Sequence, residues 1–316
     1  MDLSIHFAGT AGSVPSAHRG LPATLLRYGS DKLLIDCGEG TQRQLLRQGG
    51  LPEITEIFIT HLHLDHWLGL PGMMKSFDLR DRTTPLTIFG PPGTEAIMDT
   101  MRRTVIGRTK YRLTVTDLEG DAIVDFPGYE MQVLRVRHRG EAYGYALVEH
   151  DRPGRFDAEL AQRLGVPFGP DFGRLQRGET VNGVAPEQVI GATRRGRRLI
   201  FTGDTQPCDM VRLSAEHADL LVHESTFLDE ERERAHETGH STARQAAELA
   251  SEAGVAMLAL THLSTRYHGR EIREEATAVF PNSVVPSDGD WIDVPFPEKG
   301  PPELHRRATT KTYSNS

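Results

Sequence analysis

One short stretch decides how this chain folds and which ligands it can offer: Thr60-His61-Leu62-His63-Leu64-Asp65-His66. Four of its last six side chains are imidazoles or a carboxylate, and both kinds of group suit zinc. The apolar run over 54–59 comes directly before it and predicts a buried strand. The candidate ligands would therefore lie on a loop at a strand end, where a rigid sheet edge can orient them.

The spacing within this stretch predicts two neighbouring metal positions. His61 and His63 alternate along the chain, so on extended backbone both point to the same side and can reach one ion. Asp65 and His66 lie one step further, where the loop turns, and can reach a second ion. Two divalent ions about 3.5–4 Å apart stabilise the attacking and departing oxygens of a phosphoryl displacement and lower the pKa of a bridging water.

Three more candidate ligands follow singly along the chain. Each metal position still needs one distant histidine, and the pair needs a shared anionic bridge. The candidates are His138, Asp204 and His262, which follow the apolar runs 131–136, 199–201 and 256–260. Short apolar runs bounded by Gly, Pro and Asp are typical of strands, so these side chains are also expected at strand ends.

Between the strand-like runs, the pattern predicts helices over 41–48, 92–105, 241–253 and 270–279, from a threonine cap, first-turn prolines and the terminal Gly254. Alternating strands and helices predict an α/β fold with helices packed on sheet faces. The length of 316 residues, with 38% hydrophobic and 25% charged residues, fits a globular protein with one large domain or two ordinary ones. No run of 18 apolar residues occurs and the N-terminus lacks the pattern of a secretory signal, so neither a membrane span nor secretion is expected.

Net charge and cysteine content bear on whether the protein binds nucleic acid and on the redox compartment in which it works. Cys37 and Cys208 are too few for a disulfide framework, and we interpret them as small buried thiols in a reducing cytoplasm, with a role in metal binding as the alternative. The net charge of −8 argues against indiscriminate binding of nucleic acid. Of the 36 basic residues, however, 31 are arginines, which form bidentate contacts with phosphate. A bias in genome composition explains the arginines equally well.

Two segments differ from the rest. Segment 150–198 is rich in Gly and Pro and poor in aliphatic runs, and its nine arginines outnumber its six acids. Because it separates His138 from Asp204, we interpret it as an inserted functional arm; a solvated surface excursion is the alternative. The last stretch, 294–316, is rich in Pro, Lys, Arg, Thr and Ser and is predicted to be a disordered tail.

The ligand stretch and several further motifs resemble those of ribonuclease Z, a group within the metallo-β-lactamase superfamily. The further motifs are Asp36-Cys37-Gly38-Glu39-Gly40-Thr41, Phe201-Thr202-Gly203-Asp204-Thr205, His223-Glu224-Ser225-Thr226, His240-Ser241-Thr242 and, within the arm, Gly165-Val166-Pro167-Phe168-Gly169-Pro170. The resemblance covers about residues 1–293. It implies one catalytic domain over 1–293, a four-layer αβ/βα sandwich with the metals at one edge and the flexible arm inserted as a substrate-binding exosite.

The resemblance also assigns ligand sets. It places His61, His63 and His138 on one zinc ion, Asp65, His66 and His262 on a second, and Asp204 as the bridge between the two. In the family, Asp65 is further the proton acceptor for the attacking water. A carboxylate bound to zinc is a weak base, so orienting the nucleophile is the alternative role for Asp65.

Other roles implied by the resemblance concern the leaving group and the substrate. His240 would lie near the scissile phosphate and protonate the leaving oxygen, with Glu224 orienting it and keeping it charged. Asp36 is expected to hold the second ring nitrogen of a ligand histidine. The expected substrate contacts are Arg19, Gly169 and Pro170.

The function implied by the resemblance is a two-zinc endoribonuclease that removes the 3′ trailer from precursor tRNA and leaves a 3′-hydroxyl. It would be a cytoplasmic homodimer in which the arm of one subunit serves the active site of the other. Many family members carry a Pro-x-Lys-x-Arg-Asn loop that helps them reject tRNA already ending in CCA. Here Ala17 and Gly20 replace the lysine and the asparagine, which predicts weaker rejection of CCA.

Two alternatives of other kinds remain at this point. A different hydrolase of the superfamily, acting on thioesters, lactones or small phosphodiesters, would explain the ligands but not the arginine-rich arm. An RNA-binding subunit with an inert metal site would explain the arm. Such subunits lack ligands, however, and all seven candidate ligands are present here.

Overall fold

Two β-sheets dominate the part of the chain that the computed structural model describes, residues 1–307. The strands in chain order are β1 (Leu3–Gly9), β2 (Ala23–Tyr28), β3 (Asp31–Ile35), β4 (Glu56–Phe58), β5 (Leu86–Gly90), β6 (Leu113–Asp117), β7 (Ile123–Phe126), β8 (Tyr129–Arg135), β9 (Tyr143–Glu149), β10 (Arg198–Phe201), β11 (Leu220–Glu224), β12 (Leu258–Thr261), β13 (Ser283–Val284), β14 (Trp291–Asp293) and β15 (Glu303–His305). The first sheet has the order β15-β14-β1-β2-β3-β4-β5-β6, and the second has the order β13-β12-β11-β10-β9-β8-β7.

Helices connect the parallel strands of each sheet. The α-helices are α1 (Thr41–Arg47), α2 (Leu64–Trp67), α3 (Leu70–Leu79), α4 (Thr94–Met101), α5 (Ala158–Arg163), α6 (Pro170–Gln176), α7 (Pro186–Val189), α8 (Asp209–Ser214), α9 (Arg232–Thr238), α10 (Ala243–Ala253) and α11 (Gly269–Thr277). Strands β3 to β6 pair in parallel, as do β10 to β13, while the pairs within β1 to β3, β7 with β8 and β9 with β10 are antiparallel. Parallel neighbours require such crossovers, which place helices on the sheet faces.

Three apolar clusters define the layers. The central cluster contains Ile5 and Phe58 of the first sheet together with Tyr145 and Val222 of the second, so the two sheets pack face to face. A second cluster packs α1, α3 and α4 on the outer face of the first sheet. A third packs α8, α10 and α11 on the outer face of the second sheet. The layers are therefore helix, sheet, sheet, helix, and the α/β sandwich predicted from the sequence is confirmed.

Helix ends follow their capping residues. Helix α10 begins after Thr242, whose hydroxyl accepts the N–H of Gln245, and it ends at Gly254, which is left-handed at φ 62°. The helix predicted over 92–105 is shorter, because α4 ends at Met101 and a π-helical turn, Arg102–Ile106, follows. The sequence analysis did not identify α3. Its buried positions, such as Met73, Met74 and Phe77, follow soon after the ligand stretch.

Residues Glu149–Arg197 form a compact unit of their own, which we call the arm. It contains α5, α6 and α7, and its bounds differ by one residue at each end from the predicted insertion, 150–198. Although it lacks aliphatic runs, singly spaced residues such as Val166, Leu175 and Val189 meet in a small apolar core. The first and last residues of the arm form a buried ion pair, with Arg197 Nη2 2.8 Å from Glu149 Oε1.

The C-terminal stretch differs from its prediction. Between 294 and 307, a 3₁₀ turn at Pro297–Lys299 leads into β15, which pairs antiparallel with β14. The ring of His305 stacks on Trp291 at a centroid distance of 5.2 Å. This pairing gives the polar tail residues backbone partners that composition does not reveal. Residues 308–316, the rest of the predicted tail, lie outside the described residues. No helix within 1–307 has both the length and the apolar character needed to cross a membrane.

Candidate metal centre and active site

The candidate ligands lie where strands of both sheets end. His61 and His63 follow β4, and the short helix α2 turns Asp65 and His66 back toward them. The three distant ligands follow β8, β10 and β12 in the second sheet; they are His138, Asp204 and His262. Each strand is fixed in a sheet by its neighbours, so the loops deliver side chains from two rigid edges to one place.

The structure brings all seven together in two adjoining groups. The first consists of His61, His63, His138 and Asp204, and the second of Asp65, His66 and His262. Within each group the potential ligand atoms lie within 4.8 Å of one another. His61 and His63 thus lie apart from Asp65 and His66, as their spacing predicted, and a third set of Asp204, His240 and His262 overlaps both groups. The ligand role of each side chain stays a prediction.

Asp204 lies between the two groups. Its Oδ2 is 3.7 Å from Nε2 of His61 in the first group, and 3.5 and 3.3 Å from Nε2 of His66 and His262 in the second. Burial opposes ionisation of Asp204, but the neighbouring His262 and His66 outweigh it and hold the pKa of the carboxyl well below its ordinary value. Asp204 is thus a buried anion within reach of both positions.

Several donor atoms have no protein partner, which tests whether metal ions fit. Nε2 of His66, Nε2 of His262 and Oδ1 of Asp204 are buried, and none of them has a hydrogen-bond partner within residues 1–307. Leaving such groups unpaired is costly. Ligand atoms around a tetrahedral centre with bonds of about 2.0–2.1 Å lie roughly 3.3 Å apart, close to the 3.3–3.7 Å separations from Asp204 Oδ2. The arrangement fits divalent metal ions.

Four candidate ligands direct Nε2 toward the metal positions, and in each of them a neighbouring oxygen contacts the other ring nitrogen, Nδ1. His66 Nδ1 lies 2.7 Å from Asp36 Oδ2, so Asp36 occupies the position expected of it. His138 Nδ1 lies 2.7 Å from the carbonyl oxygen of Gly239. The remaining two contacts are to hydroxyls, with His61 Nδ1 3.1 Å from Thr60 Oγ1 and His262 Nδ1 2.8 Å from Thr226 Oγ1. His63 instead directs Nδ1 toward its neighbours, 2.9 Å from His61 Nε2.

A histidine–carboxylate pair lies beside the second group. His240 Nδ1 is 2.8 Å from Glu224 Oε1 and 3.9 Å from Asp204 Oδ2, and its ring stacks on His262. Burial lowers the pKa of His240, but the charge of Glu224 and its hydrogen bond outweigh that effect and raise the pKa to about 9. Glu224 therefore favours the protonated form of this imidazole, which adjoins the metal groups. His240 lies two residues before Thr242, the N-cap of α10.

The N-terminal loop contacts the ligands directly, which the sequence analysis missed. The backbone N–H of Ser13 donates to Asp65 Oδ2 at 2.8 Å. A Cβ atom at Gly12 would lie 2.4 Å from Nδ1 of His262, so only glycine fits there. The turn Gly9-Thr10-Ala11-Gly12 therefore packs against the candidate ligand His262. Gly12 marks this close approach in the sequence, but its contact partner lies 250 residues further along the chain.

The three expected substrate contacts have different surroundings. Arg19 donates from Nη1 to Thr10 Oγ1 at 2.5 Å and to the carbonyl oxygen of Pro286 at 2.7 Å, so its guanidinium is engaged within the protein. Gly169 and Pro170 lie in the arm, where Pro170 begins α6. Next to them Phe168 is 83% exposed. The structure gives Arg19 a role in holding the N-terminal loop, and RNA contact by all three stays a prediction.

Known proteins resemble this chain over most of its length. The beta-lactamase superfamily domain matches residues 31–263. Ribonuclease Z of Natronomonas pharaonis is 44% identical over 308 residues, covering 95% of this chain and 100% of the relative. Ribonuclease Z of Gemmatimonas aurantiaca is 44% identical over 311 residues, covering 95% and 98%. The chain belongs to the ribonuclease Z family.

A solved structure agrees with this membership of the ribonuclease Z family. The crystal structure of the short form of human tRNase Z has a TM-score of 0.69 and 26% identity, covering 92% of this chain and 99% of the human one. The family and the fold predicted from the motifs are thereby confirmed.

Proposed function

We propose that this protein is a metal-dependent endoribonuclease that removes the 3′ trailer from precursor tRNA and leaves a 3′-hydroxyl on the tRNA. The observation that carries the proposal is Asp204, a buried carboxylate with Nε2 atoms of both ligand groups within 3.7 Å of its Oδ2. The site belongs to a chain that is 44% identical to proteins named ribonuclease Z. The human protein of similar structure is named tRNase Z.

Two zinc ions fit the donor set of imidazoles and carboxylates. His61, His63 and His138 would hold one and Asp65, His66 and His262 the other, with Asp204 shared. When bound, such a pair polarises phosphoryl oxygens and lowers the pKa of water, so that the nucleophile forms at neutral pH.

Asp65 and His240 perform the proton chemistry in this proposal. Asp65 is fixed by the N–H of Ser13 and lies 3.5 Å from Nε2 of His262, so it orients the attacking water and accepts its proton to the extent that a metal-bound carboxylate can. The oxygen of the water bonds to phosphorus as the P–O3′ bond breaks, and protonated His240 gives its proton to the departing 3′-oxygen of the tRNA. Glu224 holds His240 in place. The trailer leaves with the phosphate.

The arm is the proposed contact for the tRNA body. Its eight arginines, which seven acids nearly balance, can form bidentate contacts with phosphates, and Phe168 offers an exposed ring beside the Gly169-Pro170 turn. We also propose that the enzyme works as a cytoplasmic homodimer, in which the arm of one subunit serves the other. Family likeness supports this arrangement.

The test is incubation of the metal-loaded protein with a 3′-extended tRNA and, separately, with bis(p-nitrophenyl) phosphate. Sequencing of the released RNA ends should place one cut at the 3′ end of the tRNA, and elemental analysis should give about two metal ions per chain. Asp204→Ala should lose metal and cleavage together, whereas Asp293→Ala, which removes an exposed partner of His305, should lose neither. Hydrolysis of the small ester alone would favour another hydrolase, and binding without cleavage would favour an inert RNA-binding subunit.

A further inference from the structure

A threonine hydroxyl links a carboxylate to a ligand histidine in the first sheet. Asp36 accepts the backbone N–H of Thr60 at 2.8 Å and lies 2.9 Å from its Oγ1. The same Oγ1 is 3.1 Å from Nδ1 of His61. Asp36 also contacts His66 directly, at 2.7 Å. One carboxylate therefore supports two ligands, one directly and one through a hydroxyl.

The second sheet repeats this arrangement with different residues. Glu224 accepts the backbone N–H of Thr226 at 3.0 Å and lies 2.6 Å from its Oγ1. The same Oγ1 is 2.8 Å from Nδ1 of His262. Glu224 also contacts one histidine directly, His240 at 2.8 Å. Thr60 is fully buried and Thr226 nearly so, so water does not compete with either hydroxyl.

The hydrogen-bond inventory fixes the direction of these contacts. Oε1 of Glu224 faces the N–H of Thr205 and Nδ1 of His240, while Oε2 faces the N–H and the hydroxyl of Thr226. A carboxylate only accepts, and a threonine hydroxyl has one hydrogen to give. Since Thr226 gives that hydrogen to Glu224, its lone pairs face His262, whose Nδ1 must be the donor. Nε2 of His262 is then left without a proton.

We propose that Thr60 and Thr226 are positioning residues, one for each metal position, that hold His61 and His262 in the tautomer with Nε2 free to bind a metal ion. The inference rests on the proposed metal site but not on cleavage of tRNA. His66 and His138 need no such hydroxyl, because a carboxylate and a backbone carbonyl contact their Nδ1 atoms directly. Outer partners of this kind set both the ring orientation and the basicity of a ligand histidine.

The experiment compares hydroxyl removal with hydroxyl retention in the full-length protein. Thr226→Val replaces the hydroxyl by a methyl group of similar size, and Thr226→Ser keeps the hydroxyl; Thr60→Val and Thr60→Ser form the second pair. Thr94→Val is the matched control, because Thr94 is equally buried but donates to the carbonyl oxygen of Pro91, outside the metal groups. Zinc affinity is measured by competition with a chromogenic chelator, with thermal unfolding recorded for each variant.

Each valine variant should bind one of its two zinc ions roughly 10–100-fold more weakly. The zinc affinities of the serine variants and of Thr94→Val should remain within about threefold of the wild-type values, since all of these proteins keep a hydroxyl at both positions 60 and 226. Valine variants that hold both ions as tightly as the wild type would overturn the proposal. So would serine variants as impaired as the valine ones. A wild-type protein that binds no zinc would contradict the proposed metal site itself, which is a different outcome.

A second measurement does not depend on the valine variants folding. Nitrogen-15 NMR of the zinc-loaded wild type, with labelled histidine, should show a proton on Nδ1 of both His61 and His262 that is protected from exchange with water. Rapid exchange or absence of these protons would overturn the proposed role of the two threonines even if no variant could be purified.

Discussion

Replacement of His240 by alanine tests the assignment of the general acid most directly. His240 contacts Glu224 through Nδ1 and stacks on His262. It lies outside the two groups formed by the seven candidate ligands, and its ring nitrogen lies within 4.8 Å of ligand atoms of Asp204 and His262. Its removal leaves Glu224 with its backbone and hydroxyl donors from Thr205 and Thr226. His240→Ala should therefore fold and retain its metal ions while losing the proton donor.

The size of the effect follows from the leaving group. The departing ribose 3′-oxygen is strongly basic and needs a proton, and general acid catalysis typically contributes about 10²–10⁴-fold. The charge of Glu224 and its hydrogen bond outweigh burial and raise the pKa of His240 to about 9, which favours the protonated form that this step needs. A nitrophenolate is a weaker base than this imidazole and departs unprotonated. His240→Ala should thus lose about 10²–10⁴-fold in kcat on precursor tRNA and far less on bis(p-nitrophenyl) phosphate.

The assay measures initial rates on both substrates at matched metal content, which elemental analysis verifies. His236→Ala is the control, since His236 is an exposed histidine on the neighbouring helix α9 and its loss should change neither rate. Equal losses on the two substrates would refute the reasoning, because they would show that His240 supports the site as a whole rather than the departing oxygen.

Three further predictions follow from the loop, the arm and the N-terminal sequence. Gly12→Ala should weaken metal binding, because the added Cβ would overlap the ring of His262; Gly72→Ala, where a Cβ meets only one side chain at 3.3 Å, should not, and equal metal affinities would contradict this. Replacing Glu149–Arg197 by a two-residue turn, which the antiparallel pairing of β9 and β10 permits, should raise KM for tRNA and reduce its dependence on salt without affecting a small phosphodiester; unchanged tRNA kinetics would count against the arm. One precursor assayed with and without an encoded CCA should be cut in both forms, because segment 15–20 lacks the lysine and asparagine of the family loop; complete refusal of the CCA form would show that these departures do not matter.

The metal-binding stretch could be predicted from the sequence because its information is local. The strand before His61 is marked by the apolar residues Ile57, Phe58 and Ile59, and the alternation of His61 and His63 fixes which side chains share a face. The helices with clear caps, such as α10, were placed to within two residues. Where a short polarity pattern and a capping residue determine an element, the sequence is sufficient to predict its position.

Features that depend on contacts between distant residues could not be predicted in this way. Thr226 adjoins His262 only because β11 and β12 are neighbours in the second sheet, and nothing in the local sequence marks its hydroxyl. Arg19 carries a charge that suits RNA, but the fold directs it to Thr10 and Pro286. Strand β15 is three polar or half-buried residues long, and only its pairing with β14 reveals it.

The order in which a ribosome makes this chain matters because the site draws on both sheets. His61 and its neighbours emerge early, whereas His262 lies in the last fifth of the sequence and follows β12. A nascent or prematurely terminated chain therefore holds an incomplete set of ligands and lacks the second position. Synthesis therefore completes the metal site only after β12 has been made.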